Sequence, residues 1–360
     1  MNELYIGVMS GTSMDAIDVA LCEIDARSCR LIYADEYPFP AELKEEILSD
    51  ITGVLRLEDI GRLDTKLGYL FADAIENFIA KNRIKKEEVS AIGLHGQTLW
   101  HAPDDAYPFS MQLGSPSVVY ANTHIKVVAD FRNMDIANGG QGAPFAPAFH
   151  AFAFANLAKN TAIVNIGGMA NITLLGEKTL GWDTGPGNAL MDMWIAKCKD
   201  ARYDKDGIFA RSGTPNEELL EKLMSDDYFK KSPPKSTGRE YFNESWLASH
   251  LPLFNTIQEQ DMQATLLELT ARTIAHDTIN AKSELLILCG GGAKNSFLMQ
   301  RLQELCAITV APSDDYGVSA DALEAMAFAW LAYKRIHREE VDLKDVTGAH
   351  KNSILGGIYG

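Results

Sequence analysis

The chain has 360 residues, 46% of them hydrophobic and 23% charged, and carries a formal net charge of −16. That length exceeds what a single core comfortably serves and points to two lobes, while an average composition without a run of 18 apolar residues gives no expectation of a membrane span. The negative field repels nucleic acid and anionic lipid, so an anionic ligand has to be held by local devices: glycine bends, helix N-termini or a divalent cation.

The opening MNELYIGVM has neither a basic n-region nor a long apolar core, so it reads as a first strand and places the protein in the cytoplasm. Leu4 to Asp25 then reads as strand, bend, strand, with Ser10-Gly11-Thr12-Ser13 at the bend and Asp15 and Asp18 just beyond it. Pro40 to Ile51 and Leu57 to Lys81 space their apolar residues as amphipathic helices. Two short apolar runs follow, one ending in Gly93-Leu94-His95-Gly96-Gln97 and one at Ile125 to Asp130, just before Phe131-Arg132. The turn-rich residues 138–144 come next, and the main lobe boundary is expected in this region. Residues 1–131 plus about 338–360 are expected to form lobe I, and 132–337 lobe II. Thr161 to Leu175 repeats the opening pattern of apolar run, small-residue bend and apolar run, a weak internal repeat that fits a duplicated architecture. Glu217 to Met224 and Met262 to Asn280 have helical spacing. The strand Leu285 to Cys289 runs into Gly290-Gly291-Gly292 and a helix from Asn295 to Leu305. Ala320 to Arg338 reads as a largely apolar, buried helix, and Ser232 to Tyr241 as a mobile loop. Five cysteines, an odd number without CxxC spacing, read as reduced core residues.

Three glycine bends, at Ser10 to Ser13, Gly167-Gly168 and Gly290 to Gly292, each follow an apolar strand and are candidate phosphate cradles. None is a Walker A loop or a GxGxxG turn, and each by itself is also an ordinary turn. Asp183, in GWDTGPGN, can serve as a general base or simply as a helix cap. Asp15 and Asp18 can meet a metal ion or belong to the turn. His95 and Gln97 close a strand where a ligand can enter, although a lone histidine is often structural. Arg132 can clamp a carboxylate or sit in a surface ion pair, and Glu324 in an apolar run needs either a partner or a cleft.

MSGTSMDAID, NIGGMANIT, GWDTGPGN, KSTGREYF and LCGGGAKN occur in that order, and together they resemble the anhydro-N-acetylmuramic acid kinase family along essentially the whole chain. The resemblance implies an α/β, actin-like ATPase (ribonuclease H-like) fold of two lobes. Each lobe would be built on a mixed five-stranded sheet, with the active site in the cleft between them. It implies cytoplasmic kinases of peptidoglycan recycling that open the 1,6-anhydro ring of 1,6-anhydro-N-acetylmuramic acid with water and phosphorylate O6. The implied products are N-acetylmuramic acid 6-phosphate and ADP, the cofactors are ATP and Mg²⁺, and a homodimer is a further implication. Carried onto this sequence, the ATP site comprises Gly11, Thr12, Ser13, Met14, Asp15, Ala16, Ile17 and Asp18. It also takes in Gly167, Gly168, Asn171 and Gly185, with Gly290, Gly291, Gly292 and Asn295 on the adenosine. Asp183 is the implied base, and Asp15 and Asp18 the implied contacts of Mg²⁺, directly or through water. His95, Gln97, Arg132 and Glu324 are expected on the sugar side. Ala16 departs from the glycine common in the family's first motif, so an ordinary backbone is expected there. Two other readings stay open from the residues alone: another sugar or carboxylate kinase of the same fold, or a nucleotide-driven switch or filament protein.

Overall fold

The computed structural model describes residues 2–11, 14, 16–52, 55–157, 160–233, 235–251 and 257–360. The chain opens with strands β1 (Glu3–Met9), β2 (Ala16–Ile24) and β3 (Cys29–Pro38), then helices α1 (Ala41–Thr52) and α2 (Leu57–Asn82). It continues through β4 (Val89–Leu94), the hairpin β5 (Gln97–Ala102) and β6 (Phe109–Leu113), α3 (Pro116–Thr123), β7 (Val127–Ala129), α4 (Arg132–Ala137) and α5 (Ala146–Ala153). A second series begins with β8 (Thr161–Ile166), β9 (Met169–Leu175), β10 (Leu180–Pro186) and α6 (Ala189–Lys199). It includes α7 (Ile208–Arg211), α8 (Glu217–Met224), α9 (Asp227–Lys230), α10 (Glu244–His250) and α11 (Glu259–Asn280), and closes with β11 (Leu285–Cys289), α12 (Ser296–Cys306) and β12 (Thr309–Pro312). The chain ends in α13 (Leu323–Ile336), α14 (Lys344–Thr347) and β13 (Gly357–Tyr359).

The chain divides into one unit of 1–153 with 322–360 and a second of 154–321. These limits correct the expected breaks near 131 and 338. Helix α13 belongs to the first unit because its backbone lies on β1 and β4 at Gly7 and Gly93. Helix α5 follows it through Phe149 and Phe152 against Trp330, with Phe131 and Phe145 from the flanking segments against Phe328.

The first sheet runs β13-β7-β4-β1-β2-β3 and the second β10-β9-β8-β11-β12. In both, the first strand of the series pairs antiparallel with the second and parallel with the fourth. Counted within each unit, and without the β5–β6 hairpin, which forms a sheet of its own, the order is 3-2-1-4-5 twice over. The faint repeat between the two bends is therefore a repeat of topology, and the fold is the expected α/β, actin-like duplication. The first sheet departs from the expected five strands, because the short β13 adds an antiparallel edge to β7.

Strand alternation sends Ile6 and Val8 of β1, with Ile92 and Leu94 of β4, into a core shared with Leu67, Phe71, Ile75 and Phe78 of α2. The intervening positions face α13. There Gly7 and Gly93 are register partners on parallel strands, and a side chain on either would overlap the helix backbone, at Ala325 and Phe328 respectively. In the second unit, β8, β9 and β11 pack on α11 and α12. Four of the five cysteines are buried and all are free, as expected. Among the described residues no helix is long and apolar enough to cross a membrane.

Glu268 on α11, 2% exposed, ties its helix to α12 by accepting bonds from Arg301 and is also bonded by Arg272. Burial alone would raise its carboxyl, but the two guanidinium groups overcome that and hold it below the ordinary carboxylate range. Its stabilising contribution is therefore complete above pH 4.5 and fades as pH falls through the lowered value. Glu268→Gln is expected to cost about 1–3 kcal/mol in urea unfolding at pH 7, with the gap from wild type narrowing at low pH.

Candidate active site

In the first unit the β1–β2 bend is tied to the start of β5. Ser10 Oγ donates to Gln97 Oε1 at 2.8 Å, and Gln97 Nε2 reaches the Gly11 carbonyl at 3.4 Å. Gln97 is 2% exposed, so it braces the bend from beneath. Ala16 begins β2 opposite Pro38 with extended backbone, as expected, and among the described residues of the bend Met14 is left-handed, with φ 50°. The side chains of Met14 and Ile17 belong to the core, which leaves only their backbone to meet a ligand. Asp18 is half-buried on β2 opposite Met9. Thr12, Ser13 and Asp15 lie outside the described residues.

Just past β4, His95 is 5% exposed and receives the Arg132 guanidinium on Nε2, from Nη2 at 2.9 Å and Nε at 3.3 Å. Burial and the neighbouring guanidinium push the imidazole down to about 3, so it is neutral, with its proton on Nδ1 and its lone pair on Nε2. Arg132 Nη1 donates to the Gly142 carbonyl at 3.0 Å, and its guanidinium lies 5.4 Å from the centre of the Phe145 ring. Burial lowers Arg132 to about 10 while Glu324 acts against it, so the cation persists at neutral pH. Arg132 is thus an oriented charge rather than half of a surface ion pair. Glu324, exposed on the first turn of α13, is crowded by enough protein for desolvation to raise its carboxyl, with Arg132 pulling the other way. Asp135, 3% exposed, completes this wall: its carboxylate accepts from Gly142 N–H at 2.8 Å and Thr347 Oγ1 at 2.9 Å, which fixes the loop that holds Arg132. His95 also lines a cavity of about 500 Å³ with Ser110, Gln112, Asp130, Asn133 and Tyr359. These residues and Asp135 were missed in the sequence, since nothing in their spacing marks them. The β5–β6 hairpin, the ends of β4 and β7, α4 and β13 bring the cavity's walls together.

In the second unit the Gly167-Gly168 bend accepts the N–H groups that lead into α6. Asn188 N–H donates to Gly167 O at 2.8 Å, and Gly187 N–H to Gly168 O at 2.9 Å. Arg239 comes against this bend, close enough that a side chain on Gly168 would meet its Nε at 3.3 Å. Asp183 lies within β10 opposite Asn171, not at a helix cap, and is half-buried. Burial raises its carboxyl to about 6, against the opposing pull of the Thr237 N–H, which donates to Oδ2 at 2.9 Å. The segment around 235–237, expected as a mobile loop, docks on β10 here: Asp183 N–H also donates to Lys235 O at 3.0 Å. Gly290, with φ 75°, and Gly292 fit where side chains would overlap Asn165 and Ile166. Beyond them Gly291, Gly292 and Asn295 line a cavity of about 400 Å³ with Asn188, Met191 and Asp192. Asn295 Oδ1 caps α12 through Leu298 N–H. Asp192 is raised to about 6 by burial, against the pull of Arg239. Asn171 and Gly185 flank Asp183 and do not line this cavity. Among the described residues no group of three His, Cys, Asp or Glu side chains is arranged to hold a metal ion.

A family model described as anhydro-N-acetylmuramic acid kinase matches residues 3–360. The chain belongs to the anhydro-N-acetylmuramic acid kinase family. It is 56% identical over 360 residues to the anhydro-N-acetylmuramic acid kinase of Sulfurovum sp., covering 99% of each chain. It is 54% identical over 367 residues to that of Sulfurimonas denitrificans, covering all of both. Among solved structures it matches component A of the (R)-2-hydroxyglutaryl-CoA dehydratase of Acidaminococcus fermentans with 13% identity and a TM-score of 0.48, over 93% of this chain and 99% of that one. As a member of the family the chain is a sugar kinase, and the described residues of the five motifs that carried the resemblance fall on the three glycine bends, on β10 and on the segment that docks against Asp183.

Proposed function

We propose that the chain hydrolytically opens 1,6-anhydro-N-acetylmuramic acid and phosphorylates it at O6 using ATP, with Asp183 as the general base. The observation that carries this reading is the Asp183 carboxyl, raised by burial to about 6 on a bulged strand beside the Gly167-Gly168 bend. A base that titrates there is ionised at neutral pH yet basic enough to take a proton from water. Asp183 removes that proton as the water oxygen bonds to the anomeric carbon, and the released O6 becomes the phosphoryl acceptor.

The chain's own residues fit ATP. The 400 Å³ cavity behind Gly290 to Gly292 suits the adenosine, and the Gly167-Gly168 bend offers closely approachable backbone to the phosphates. Asp18 would meet the divalent cation, which we take to be Mg²⁺, with Asp15 as its expected companion. Two carboxylates suffice for an ion that keeps most of its waters and phosphate ligands, so a closed protein cage is not required. When bound, ATP and its cation supply an activated γ-phosphoryl group whose charge is neutralised, and Arg239 adds a positive charge at the second bend. On the sugar side His95 and Gln97 hold the wall, Glu324 offers a carboxylate to a hydroxyl, and Arg132 presents its outer N–H edge to the lactyl carboxylate.

A coupled assay with the anhydro sugar, ATP and Mg²⁺ tests the reading; ADP release no higher than with ATP alone overturns it. Arg132→Lys, which loses the planar fork but not the charge, is expected to raise KM for the sugar about tenfold while KM for ATP holds. An unchanged sugar KM would take Arg132 off the substrate.

A further inference from the structure

Asp183 is gripped at three points, and the grip leaves one of its atoms out. Its N–H donates to Lys235 O, its carbonyl accepts from Tyr228 OH at 2.7 Å, and its Oδ2 accepts from Thr237 N–H at 2.9 Å. Among the described residues no donor is seated on Oδ1. The pairing of β10 with β9 slips between Asp183 and Gly185, and such a bulge re-aims the side chain beside it. Helix α9 holds both sides of the slip with consecutive residues. Tyr228 bonds the carbonyl of Asp183, while the Phe229 ring sits where a side chain on Gly185 would come within 2.7 Å. Tyr228 is itself fixed. It is 1% exposed, its N–H donates to Asp226 Oδ1 at 2.8 Å, and Phe229 and Phe242 meet its ring edge-on.

We propose that Tyr228 is a positioning residue for Asp183: its hydroxyl pins the bulged carbonyl so that Thr237 N–H occupies Oδ2 and Oδ1 is the oxygen that accepts the proton. The inference rests on the reading of Asp183 as the base and adds which oxygen works and what aims it. One O–H bond of water breaks, its proton passes to Oδ1, and its electron pair stays on the attacking oxygen. A carboxylate free to rotate would share that role between both oxygens and lose alignment, and misplacement on the ångström scale is costly in rate.

Tyr228→Phe removes one oxygen and keeps the ring. It is expected to lower kcat about tenfold or more with KM for sugar and ATP within about twofold, since neither ligand loses a contact. The acidic limb of its kcat profile is expected to move to higher pH, because a loosened bulge weakens the Thr237 bond to the ionised carboxylate. Replacement by 4-aminophenylalanine, which restores a donor at the same place, is expected to recover most of kcat. The control is Tyr241→Phe, which loses the Tyr241 OH bond to Asp226 in the same aromatic cluster without touching Asp183. It is expected to lower Tm and leave kcat unchanged. A Tyr228→Phe enzyme with full kcat overturns the proposal, as does an equal loss of kcat in Tyr241→Phe, which would mark a purely structural effect. Full activity in Asp183→Asn overturns the base assignment and this proposal with it. An inactive Asp183→Asn beside an unimpaired Tyr228→Phe overturns this proposal alone.

Discussion

Asp183→Asn is expected to lower turnover at least ~10²-fold, the usual loss on removing a general base, while the protein stays folded and still binds nucleotide. In the wild type the active form is the carboxylate, so kcat is expected to rise with pH through about 6, the value to which burial raises this group. The variant's residual rate is expected to lack that limb. The linkage to stability has the opposite sign to that of Glu268. Because the folded-state value lies above the ordinary 3.8, the native state holds the proton more tightly than the unfolded chain, and stability falls as pH rises from about 4 to about 6. Asparagine removes that penalty. The melting temperature of Asp183→Asn at pH 8 is therefore expected to equal or exceed that of wild type, a gain in stability at the expense of function. Stopped-flow or coupled kinetics across pH 5–9, with calorimetry on both proteins, checks all four expectations. Near-normal turnover in a folded variant would remove Asp183 from the chemistry.

Gly93→Val is expected to cost about 4 kcal/mol or more, enough to abolish folding in a protein of ordinary stability. Gly93 and Gly7 pair across the two central parallel strands and give α13 a flat floor. A Cβ at 93 would overlap the Phe328 carbonyl and one at 7 the Ala325 carbonyl, and both obstacles are helix backbone that no rotamer change can move. Overpacking against side chains typically costs 1–3 kcal/mol because neighbours give way, whereas here the helix as a whole has to lift. Lifting it also strips Phe328 from His95, whose ring centres are 4.8 Å apart, so the damage reaches the wall that holds Arg132. The contrasting substitution is Gly61→Ala. Gly61 lies inside α2 with nothing within 4 Å of an added Cβ, so alanine is expected to stabilise by about 0.5–1 kcal/mol. Urea unfolding of both variants, with expression in the soluble fraction for the first, measures the contrast. A soluble, cooperatively folding Gly93→Val would show that α13 is not seated as described.

The functional reading follows from the same division between local and distant. The Arg132 side chain could have been half of an exposed ion pair, and its spacing in the sequence is silent on the point. Its contact with His95 joins residues 37 positions apart, and the loop whose Gly142 carbonyl accepts from it is held by Asp135, which takes the Gly142 N–H and is itself bonded by Thr347. Asp183 was visible as a carboxylate on a glycine-proline turn. Its strand, its bulge and its Thr237 partner 54 residues away were not.

By itself the sequence determined whatever depends on near neighbours along the chain. Alternation and helical periodicity marked β1, β2, α2, β8, β9, β11 and α13, and small residues after apolar runs marked the three bends. Five ordered motifs pointed to the family. The tertiary structure alone decided what depends on register and packing between distant segments. It decided that residues 132–153 and 322–337 belong with the first unit, that β13 adds a sixth strand, and that Gly7 faces Gly93 beneath α13. It also decided that Thr237 and Tyr228 converge on Asp183. The physical reason is that hydrophobic pattern fixes which face of an element is buried but not what buries it. That choice is made by strand register and by which backbones can approach closely, and both are settled only when the segments meet.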